Sequence, residues 1–375
     1  MGNIYLDNAA TTPLAPEVID VMHQSMLTIS GNPSSIHSFG RIAKAKLEMA
    51  RKNIAKVINA LPAEIFFTSG GTEADNLALQ TSVYNLDVKR IITSKIEHHA
   101  VLNTIDFLKN NKDIQVDYVN LNKDGSIDIV HLSELLSSDI KTLVSLMHVN
   151  NETGTVLNID QVAKVCKSNK ALFHSDTVQS LGYYNIDVKA LDIDFIACSA
   201  HKFHGPKGAG FIYIKQGTAV HPLTFGGTQE RGFRPGTENI HSILGLEKAF
   251  LDSNSNRANK FEYVSNLKQK FIELLNASKL DYSINGSIEN ASPAILNISF
   301  KMKKDQSMLL FNMDLSGIAI SGGSACTSGS NLGSHVLKAI GVSMDQPAIR
   351  FSFSKMNTIE ELETTVKVIE KLVVT

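Results

Sequence analysis

Two polar side chains follow directly on apolar stretches of this 375-residue chain. Lys202 comes after the run from Asp194 to Cys198 and before a loop rich in Gly and Pro, and Asp176 comes after the run Ala171 to Phe173. A lysine at the end of a buried strand is costly unless it is paired or chemically used. Desolvation there lowers the pKa of the amine, as a Schiff-base lysine requires. Taken singly, Lys202 could be a surface lysine in a loop and Asp176 a helix N-cap.

Together, this lysine and aspartate are the protein groups that pyridoxal 5'-phosphate (PLP) chemistry uses, one on the aldehyde carbon and one on the pyridine nitrogen. Gln179 lies three residues after Asp176, which favours the cofactor role over the cap. The segment Ser69-Gly70-Gly71-Thr72 joins a strand to a helix, where free backbone N–H groups can bind a phosphate. A well-capped helix, with Thr72 as the cap, is the alternative. The chain has neither G-x-x-x-x-G-K-[ST] nor G-x-G-x-x-G, which disfavours ATP and NAD.

The three cysteines are too few and too scattered for a disulfide framework or a zinc site. Cys166 and Cys198 lie in apolar surroundings and are expected to be packing residues. Cys326 lies in the Gly- and Ser-rich stretch 321–330, whose composition predicts an exposed loop. A lone cysteine there is either accidental or a nucleophile.

Arg350 lies among apolar residues in a predicted strand, Ala348–Phe353. An arginine in such a place needs a partner, and a carboxylate bound through two hydrogen bonds suits it best. The residues leave open whether that carboxylate belongs to the protein or to a ligand.

Composition describes an ordinary globular protein, with 43% hydrophobic and 19% charged residues. The formal net charge of −1 gives no reason to expect binding to nucleic acid or to a membrane surface. No apolar run approaches a membrane span, and the first residues carry no basic or apolar leader, so a cytoplasmic location is expected.

From about residue 60 to 215, apolar runs alternate with helix-like stretches, a pattern that predicts an α/β fold with a mostly parallel sheet. Ligands of such sheets bind beyond the carboxyl ends of the strands, so the polar segments that follow the strands should share one crevice. Near residue 240 the pattern changes to that of a smaller α/β domain, and Asp252–Asn256 is expected to be a polar break between two helices. The predicted strands are Ile65–Phe67, Arg90–Thr93, Val116–Val119, Leu143–His148, Ala171–Ser175, Phe195–Ser199 and Gly210–Ile214.

Ordered motifs along nearly the whole chain resemble those of the NifS/IscS-like cysteine desulfurases, PLP enzymes of fold type I in the class V aminotransferase group. The resemblance implies a large domain with a mostly parallel seven-stranded sheet, residues 13–255, and a small C-terminal α/β domain, residues 256–375 together with 1–12. The motifs are Tyr5–Thr12, Asn32–Ser35 with His37, Thr68–Glu73, Glu97–Val101, His148–Gly154, the Asp176 and Lys202 segments, Glu230–Gly232, Gly236–Asn239, Gly323–Ser328 and Ala348–Ser352.

The resemblance also implies roles for individual residues. His98 would stack on the cofactor and transfer protons, although its neighbour His99 fits the same signal. Asn151 would contact the substrate carboxylate side, Gln179 the oxygen on the pyridine ring and Asp176 the ring nitrogen, while Lys202 would bind the cofactor covalently. The phosphate would be held by Gly71, Thr72, Ser199 and His201, and by Thr237 from the other subunit of a homodimer.

The implied reaction converts L-cysteine to L-alanine and leaves a persulfide on Cys326, with Arg350 binding the α-carboxylate of the substrate. The sulfur would pass to an iron–sulfur scaffold or another acceptor protein, for cluster assembly or tRNA thiolation. No intrinsic metal is expected, although Cys326 could transiently ligate an iron–sulfur cluster with a scaffold partner. The alternatives are a selenocysteine lyase or cysteine sulfinate desulfinase, a class V aminotransferase in which Cys326 is incidental, and a non-enzymatic sulfur carrier.

Overall fold

The computed structural model describes residues 3–301, 308–322, 333–343 and 345–374. The strands are β1 (Ile4–Tyr5), β2 (Ile65–Thr68), β3 (Arg90–Thr93), β4 (Gln115–Tyr118), β5 (Thr142–Ser145), β6 (Leu172–Asp176), β7 (Phe195–Ser199), β8 (Gly210–Ile214), β9 (Tyr282–Asn285), β10 (Ile295–Phe300), β11 (Ile318–Ala319) and β12 (Ala348–Ser352). The α-helices are α1 (Pro16–Thr28), α2 (Ser38–Val57), α3 (Gly71–Tyr84), α4 (His99–Asn111), α5 (Ile129–Leu135), α6 (Ile159–Ser168), α7 (Val188–Leu191), α8 (Ile240–Ser255), α9 (Arg257–Ala277), α10 (Leu309–Leu315), α11 (His335–Ala339) and α12 (Ile359–Val374).

The central sheet has seven strands in the order β2-β8-β7-β6-β5-β3-β4. Only β8 runs against its neighbours, β2 and β7; the other pairs are parallel. The predicted mostly parallel seven-stranded sheet is therefore confirmed. The strand expected at Leu143–His148 is shorter than predicted, because β5 ends at Ser145.

Both faces of this sheet are covered, as continuous apolar strands require. In β7, Ile196 and Cys198 pack toward α1, α2, α6 and α8, while Phe195 and Ala197 pack toward α3 and α4. Successive side chains of a strand point to opposite faces, so one strand contributes to two hydrophobic cores. The helices cover the two faces of the sheet, and the polar residues at the carboxyl ends of the strands are left at its edge.

A second, smaller sheet has the antiparallel order β12-β10-β9 and packs against α9 and α12 around its own core. The N-terminal strand β1 pairs in parallel with β11, far along the chain. Asn8 also donates hydrogen bonds to the carbonyl oxygen of Ser352 and the side chain of Asn357, at 2.8 and 3.1 Å. The first residues thus lie with the C-terminal part of the chain, although the predicted domain boundaries remain a prediction.

The polar break expected at Asp252–Asn256 is wrong for most of its length. Helix α8 continues to Ser255, and Asn256 alone separates it from α9. Ser253 is buried with its hydroxyl donating to the carbonyl oxygen of Phe250, and Asp252 pairs with Lys248 one turn earlier. These polar residues are compatible with a helix because their side chains are satisfied within it.

Among the helices of the described ranges, none is both long and apolar enough to span a bilayer.

Candidate active site

A pocket of about 220 Å³ opens at the carboxyl ends of β6 and β7. It brings together the predicted cofactor and substrate residues of the described chain other than Thr237. Its lining consists of Ala9, Ala10, Gly71, Thr72, Asp75, His98, Met147, Asn151, Asp176, Val178, Gln179, Ser199, His201, Lys202 and Arg350. The parallel sheet delivers these side chains to one edge, as the crevice expectation requires.

Lys202 lies in the short 3₁₀ turn Ala200–Lys202 that follows β7. Its Nζ donates hydrogen bonds to the carbonyl oxygens of Ala9 and Ala10, at 2.5 and 2.8 Å. The N-terminal segment therefore holds the amine at the pocket, in a half-buried position. A lysine in this place can reach a ligand that enters between the two segments.

Asp176 is the last residue of β6 and is buried. Its Oδ1 accepts a hydrogen bond from the backbone N–H of Val178 at 2.9 Å. Burial raises the pKa of this carboxyl, against the opposing influence of His98 and Lys202. The next helix, α7, begins only at Val188, so Asp176 does not cap a helix and the N-cap alternative is wrong. A cation placed against Asp176 would offset the cost of burying its charge.

Asp75 is a site residue that the sequence interpretation missed. It projects from the buried side of α3 and is itself 1% exposed. Burial, followed by the charges of Asp176 and Glu97, raises its pKa well above the usual range. Its Oδ1 lies 3.4 Å from Nε2 of His174, whose pKa burial lowers to about 3. Little in the sequence signalled this role, because Asp75 is one of two acidic residues near the start of the predicted helix, together with Glu73.

His98 and His99 are separated by their surroundings. His98 lines the pocket and caps α4, its Nδ1 accepting from the N–H of Ala100 at 3.1 Å. Burial lowers its pKa, so the ring is favoured in its neutral form. His99 points elsewhere and packs on the ring of His335, with centroids 4.5 Å apart. The geometry therefore selects His98 as the histidine available to a ligand.

The start of α3 forms an anion cradle next to Ser199 and His201. A Cβ on Gly71 would lie 2.6 Å from Cγ2 of Val178, so the close approach requires glycine. The N-cap position is Gly70 and has no side-chain cap, which corrects the expectation that Thr72 caps this helix. The first N–H groups of the helix are therefore open to a ligand anion.

Arg350 is 1% exposed, and its Nη2 forms an ion pair with Oδ1 of Asp7 at 2.8 Å. Its Nη1 donates to the carbonyl oxygen of Asn151 at 2.8 Å. Arg350 therefore does have a carboxylate partner within the protein, which the sequence left undecided. Nε, however, is buried without a hydrogen-bond partner among the described residues, and Arg350 lines the pocket. An unsatisfied buried donor is costly, and a ligand carboxylate would satisfy it.

Asn151 and Gln179 both line the pocket and have different hydrogen-bond partners. The backbone carbonyl of Asn151 accepts from Arg350. Gln179 donates from Nε2 to the carbonyl oxygen of Ala9 at 2.9 Å. Ala9 therefore accepts hydrogen bonds from both Gln179 and Lys202, which ties the N-terminal segment to the pocket.

Two predicted residues do not line this pocket. Thr237 lies in a neighbouring pocket of about 210 Å³, together with Ser69 and Arg234. Cys326 lies outside the described residues. Cys166 and Cys198 are buried, and burial raises the pKa of both thiols, that of Cys166 to about 12. Their expected role as packing residues is confirmed by that burial.

Comparison with known proteins places this geometry in a family. Residues 4–364 match the family described as aminotransferase class-V. The chain is 42% identical over 373 residues to the putative cysteine desulfurase IscS 1 of Bacillus subtilis, covering 98% of this chain and 97% of that protein. It is 41% identical to the cysteine desulfurase IscS of Dictyoglomus turgidum, covering 99% and 94%.

Solved structures agree with the sequence relatives. A structure described as a NifS-like protein superposes with a TM-score of 0.92 at 35% identity, covering 99% of both chains. A NifS-like protein from Rickettsia africae gives a TM-score of 0.89 at 32% identity over the full length of both. This chain therefore belongs to the class V aminotransferase family of PLP-dependent enzymes. Within that family, its relatives are the NifS- and IscS-type cysteine desulfurases.

The described residues fit the cofactor of this family. The glycine cradle at the start of α3 suits a phosphate, and buried Asp176 suits a protonated pyridine nitrogen. Asp75, His98 and Asp176 each place one side-chain nitrogen or oxygen atom within 4.8 Å of the others, so a positive group between them is favoured. Lys202 supplies the amine at the same pocket.

Proposed function

We propose that this protein removes the sulfur of L-cysteine, releasing L-alanine and leaving a persulfide on Cys326. The observation that carries the proposal is the meeting of Lys202, Asp176, His98 and Arg350 in one pocket. The names of the relatives support the same activity. One further solved structure, 32% identical to this chain with a TM-score of 0.83, is described as SspA in complex with cysteine.

Bound PLP supplies an electron sink for the carbon skeleton of the substrate. The backbone at Gly71 and Thr72, with Ser199 and His201, would hold its phosphate. Asp176 would pair with the ring nitrogen, and Lys202 would hold the cofactor until the substrate amine replaces it. Burial favours the neutral form of His98, and because its Nδ1 accepts from the N–H of Ala100, the ring carries its hydrogen on Nε2 and can donate that proton and then recover one.

Substrate recognition would centre on Arg350. Arg350 lines the pocket, and its buried Nε has no hydrogen-bond partner among the described residues, while Asp7 and the backbone of Asn151 hold the rest of the guanidinium in place. The side chain of Asn151 can donate to the substrate α-carboxylate that Arg350 would bind. Fixing the carboxylate and the amine of an α-amino acid orients its side chain relative to the cofactor plane.

The sulfur transfer would use Cys326 as the nucleophile. Its thiolate attacks the substrate sulfur, so that a sulfur–sulfur bond forms while the carbon–sulfur bond breaks. The electron pair of the broken bond passes to the carbon, which takes up a proton to become the methyl group of alanine. A Gly- and Ser-rich sequence around Cys326 suits a thiol that must reach the pocket and then a partner.

A homodimer would complete the site. Thr237 lies outside the pocket of its own chain, which fits a contribution to the partner's phosphate site. Large apolar side chains are also exposed, Ile36 at 91% and Phe225 at 88%, and an interface between copies would cover them. We further propose a cytoplasmic enzyme that passes its sulfur to an iron–sulfur scaffold or another acceptor protein.

The activity is tested by replacing the nucleophile. Cys326→Ser should bind PLP and L-cysteine as the wild type does, yet release almost no alanine or sulfide, because a serine hydroxyl is a far poorer nucleophile toward sulfur. After exposure to L-cysteine, mass spectrometry of the wild type should find one extra sulfur atom on the Cys326 peptide. Cys166→Ala is the matched control and should keep full activity. Undiminished alanine release by Cys326→Ser would contradict the proposal.

A further inference from the structure

A second pocket, of about 260 Å³, shares no lining residue with the cofactor pocket. Its lining includes Phe203 and His204, which follow Lys202 directly. It also includes Lys260, near the start of α9, and Lys355, shortly after β12. With a water molecule occupying about 30 Å³ of liquid, the pocket is large enough for a small polyatomic ion.

Lys260 is the unusual residue of this pocket. It is only 8% exposed, so its charge has lost most of its contact with water. Its Nζ lies 4.4 Å from the ring centroid of Tyr183, but it makes no hydrogen bond or ion pair with the described part of the chain. A cation–π contact offsets only part of the desolvation cost of an ammonium group. The three N–H donors of Lys260 therefore call for an acceptor in the pocket.

The surroundings of Lys260 are cationic. Burial, with the charges of Lys355 and Arg257, lowers its pKa to about 7. Burial, with the charges of Lys355 and Lys260, also lowers the pKa of His204 to about 4. Two carboxylates line the pocket as well, but Asp252 is already paired with Lys248 at 2.9 Å, and Glu17 is solvent-exposed on α1. Among the described residues, the positive charge of Lys355, and that of Lys260 when it is protonated, is thus left without a matching anion.

The remaining polar groups favour an oxyanion that also carries a proton. Nδ1 of His204 lies 2.9 Å from the carbonyl oxygen of Pro13, which can only accept, so this nitrogen carries the hydrogen. In a neutral ring Nε2 is then an acceptor, and a protonated phosphate oxygen can donate to it. Asn256 at the N-cap of α9 makes no side-chain cap, so the first N–H groups of a 21-residue helix are also open. The last carbonyl groups of α8 lie next to these N–H groups and oppose their attraction for an anion. We therefore expect the lysines to contribute more to anion binding than the end of α9 does.

We propose that this pocket binds a phosphate group, either as inorganic phosphate or as a phosphate monoester. The oxyanion would lie between Lys260 and Lys355 and next to His204. It would connect the segment that carries Lys202 to the segment that carries Arg350, because His204 and Lys355 follow these residues by only a few positions. The proposed site shares no residue with the cofactor's own phosphate site, and the proposal does not require the desulfurase activity.

The test uses the PLP-loaded enzyme, so that the cofactor site is already filled. Calorimetric titration with inorganic phosphate, and separately with glycerol phosphate, should give one site per chain at constant ionic strength. Lys260→Gln and Lys355→Gln should each weaken binding about tenfold or more, since each removes a charge-assisted hydrogen bond. Lys270→Gln is the matched control, because it removes the same charge from the same helix at a position outside the pocket, where the side chain is 40% exposed. This variant should bind as the wild type does.

The tighter of the two probes identifies the source of the phosphate group. Equal affinity in the wild type and both pocket variants would overturn the site. So would an equal loss in Lys270→Gln, which would indicate general charge attraction. Sulfate that binds as tightly as phosphate would overturn the assignment of a protonated oxyanion. If Lys260→Gln does not fold, the exposed Lys355→Gln still decides the outcome.

Discussion

Replacing Arg350 with alanine should separate substrate recognition from structural support. The guanidinium is 1% exposed and holds three groups in the proposed complex: Asp7, the backbone of Asn151 and the substrate carboxylate. Losing a desolvated charge partner costs about 2–5 kcal/mol of transition-state stabilisation, which corresponds to a fall of about 30-fold to about 4,000-fold in kcat/KM. The stability cost should be below the ~3–5 kcal/mol found for a fully buried pair, because Asp7 keeps 19% of its side-chain surface in solvent.

The assay compares L-cysteine with L-cysteine ethyl ester, measured as alanine or alanine ester released. The wild type should strongly prefer the free acid, because its carboxylate can pair with the guanidinium of Arg350. In Arg350→Ala that preference should fall sharply, since only the neutral amide of Asn151 then remains to distinguish the two. The comparison reports carboxylate recognition even if the variant is less stable.

Arg90→Ala is the matched control. Arg90 is also a buried strand arginine, paired with Asp117 at 2.5 Å, but it lies outside the pocket. Its loss should lower the free energy of unfolding and leave the preference for the acid unchanged. If Arg350→Ala behaves in the same way, Arg350 is a structural ion pair and the substrate assignment is refuted.

Three further outcomes are expected. Lys202→Ala should fold but lose the visible absorption of bound PLP and all turnover, whereas Lys207→Ala, an exposed lysine nearby, should keep both. Mixed dimers of Lys202→Ala and Thr237→Ala chains should regain activity that neither parent has. One of their two sites then combines the intact Lys202 of one chain with the intact Thr237 of the other. If activity is not recovered, Thr237 belongs to the site of its own chain. Burial raises the pKa of Glu97 from 4.5 to about 8, so the folded state keeps a proton that the unfolded state loses. Stability should therefore fall as pH rises through that window, and Glu97→Gln should remove this slope in denaturant unfolding at several pH values.

The sequence alone determined the central sheet and the chemistry at its edge. β3, β7 and β8 have the predicted bounds, because each is buried along its whole length and therefore has an apolar centre that is visible in the sequence. Asp176 and Lys202 could be predicted from the same signal. By contrast, β9 was not predicted, since its strand is half-exposed and carries polar residues that give no apolar run.

Only the tertiary structure decided which groups meet. His98 and His99 are adjacent in sequence, and the direction in which α4 begins places one at the pocket and the other on His335. The pairing of Arg350 with Asp7 joins opposite ends of the chain, and local patterns carry no information about partners so far apart. Lys260 reads as one more helix lysine until packing shows its burial. Burial and long-range contact set the charge and partners of each side chain, and both arise only when the whole chain has folded.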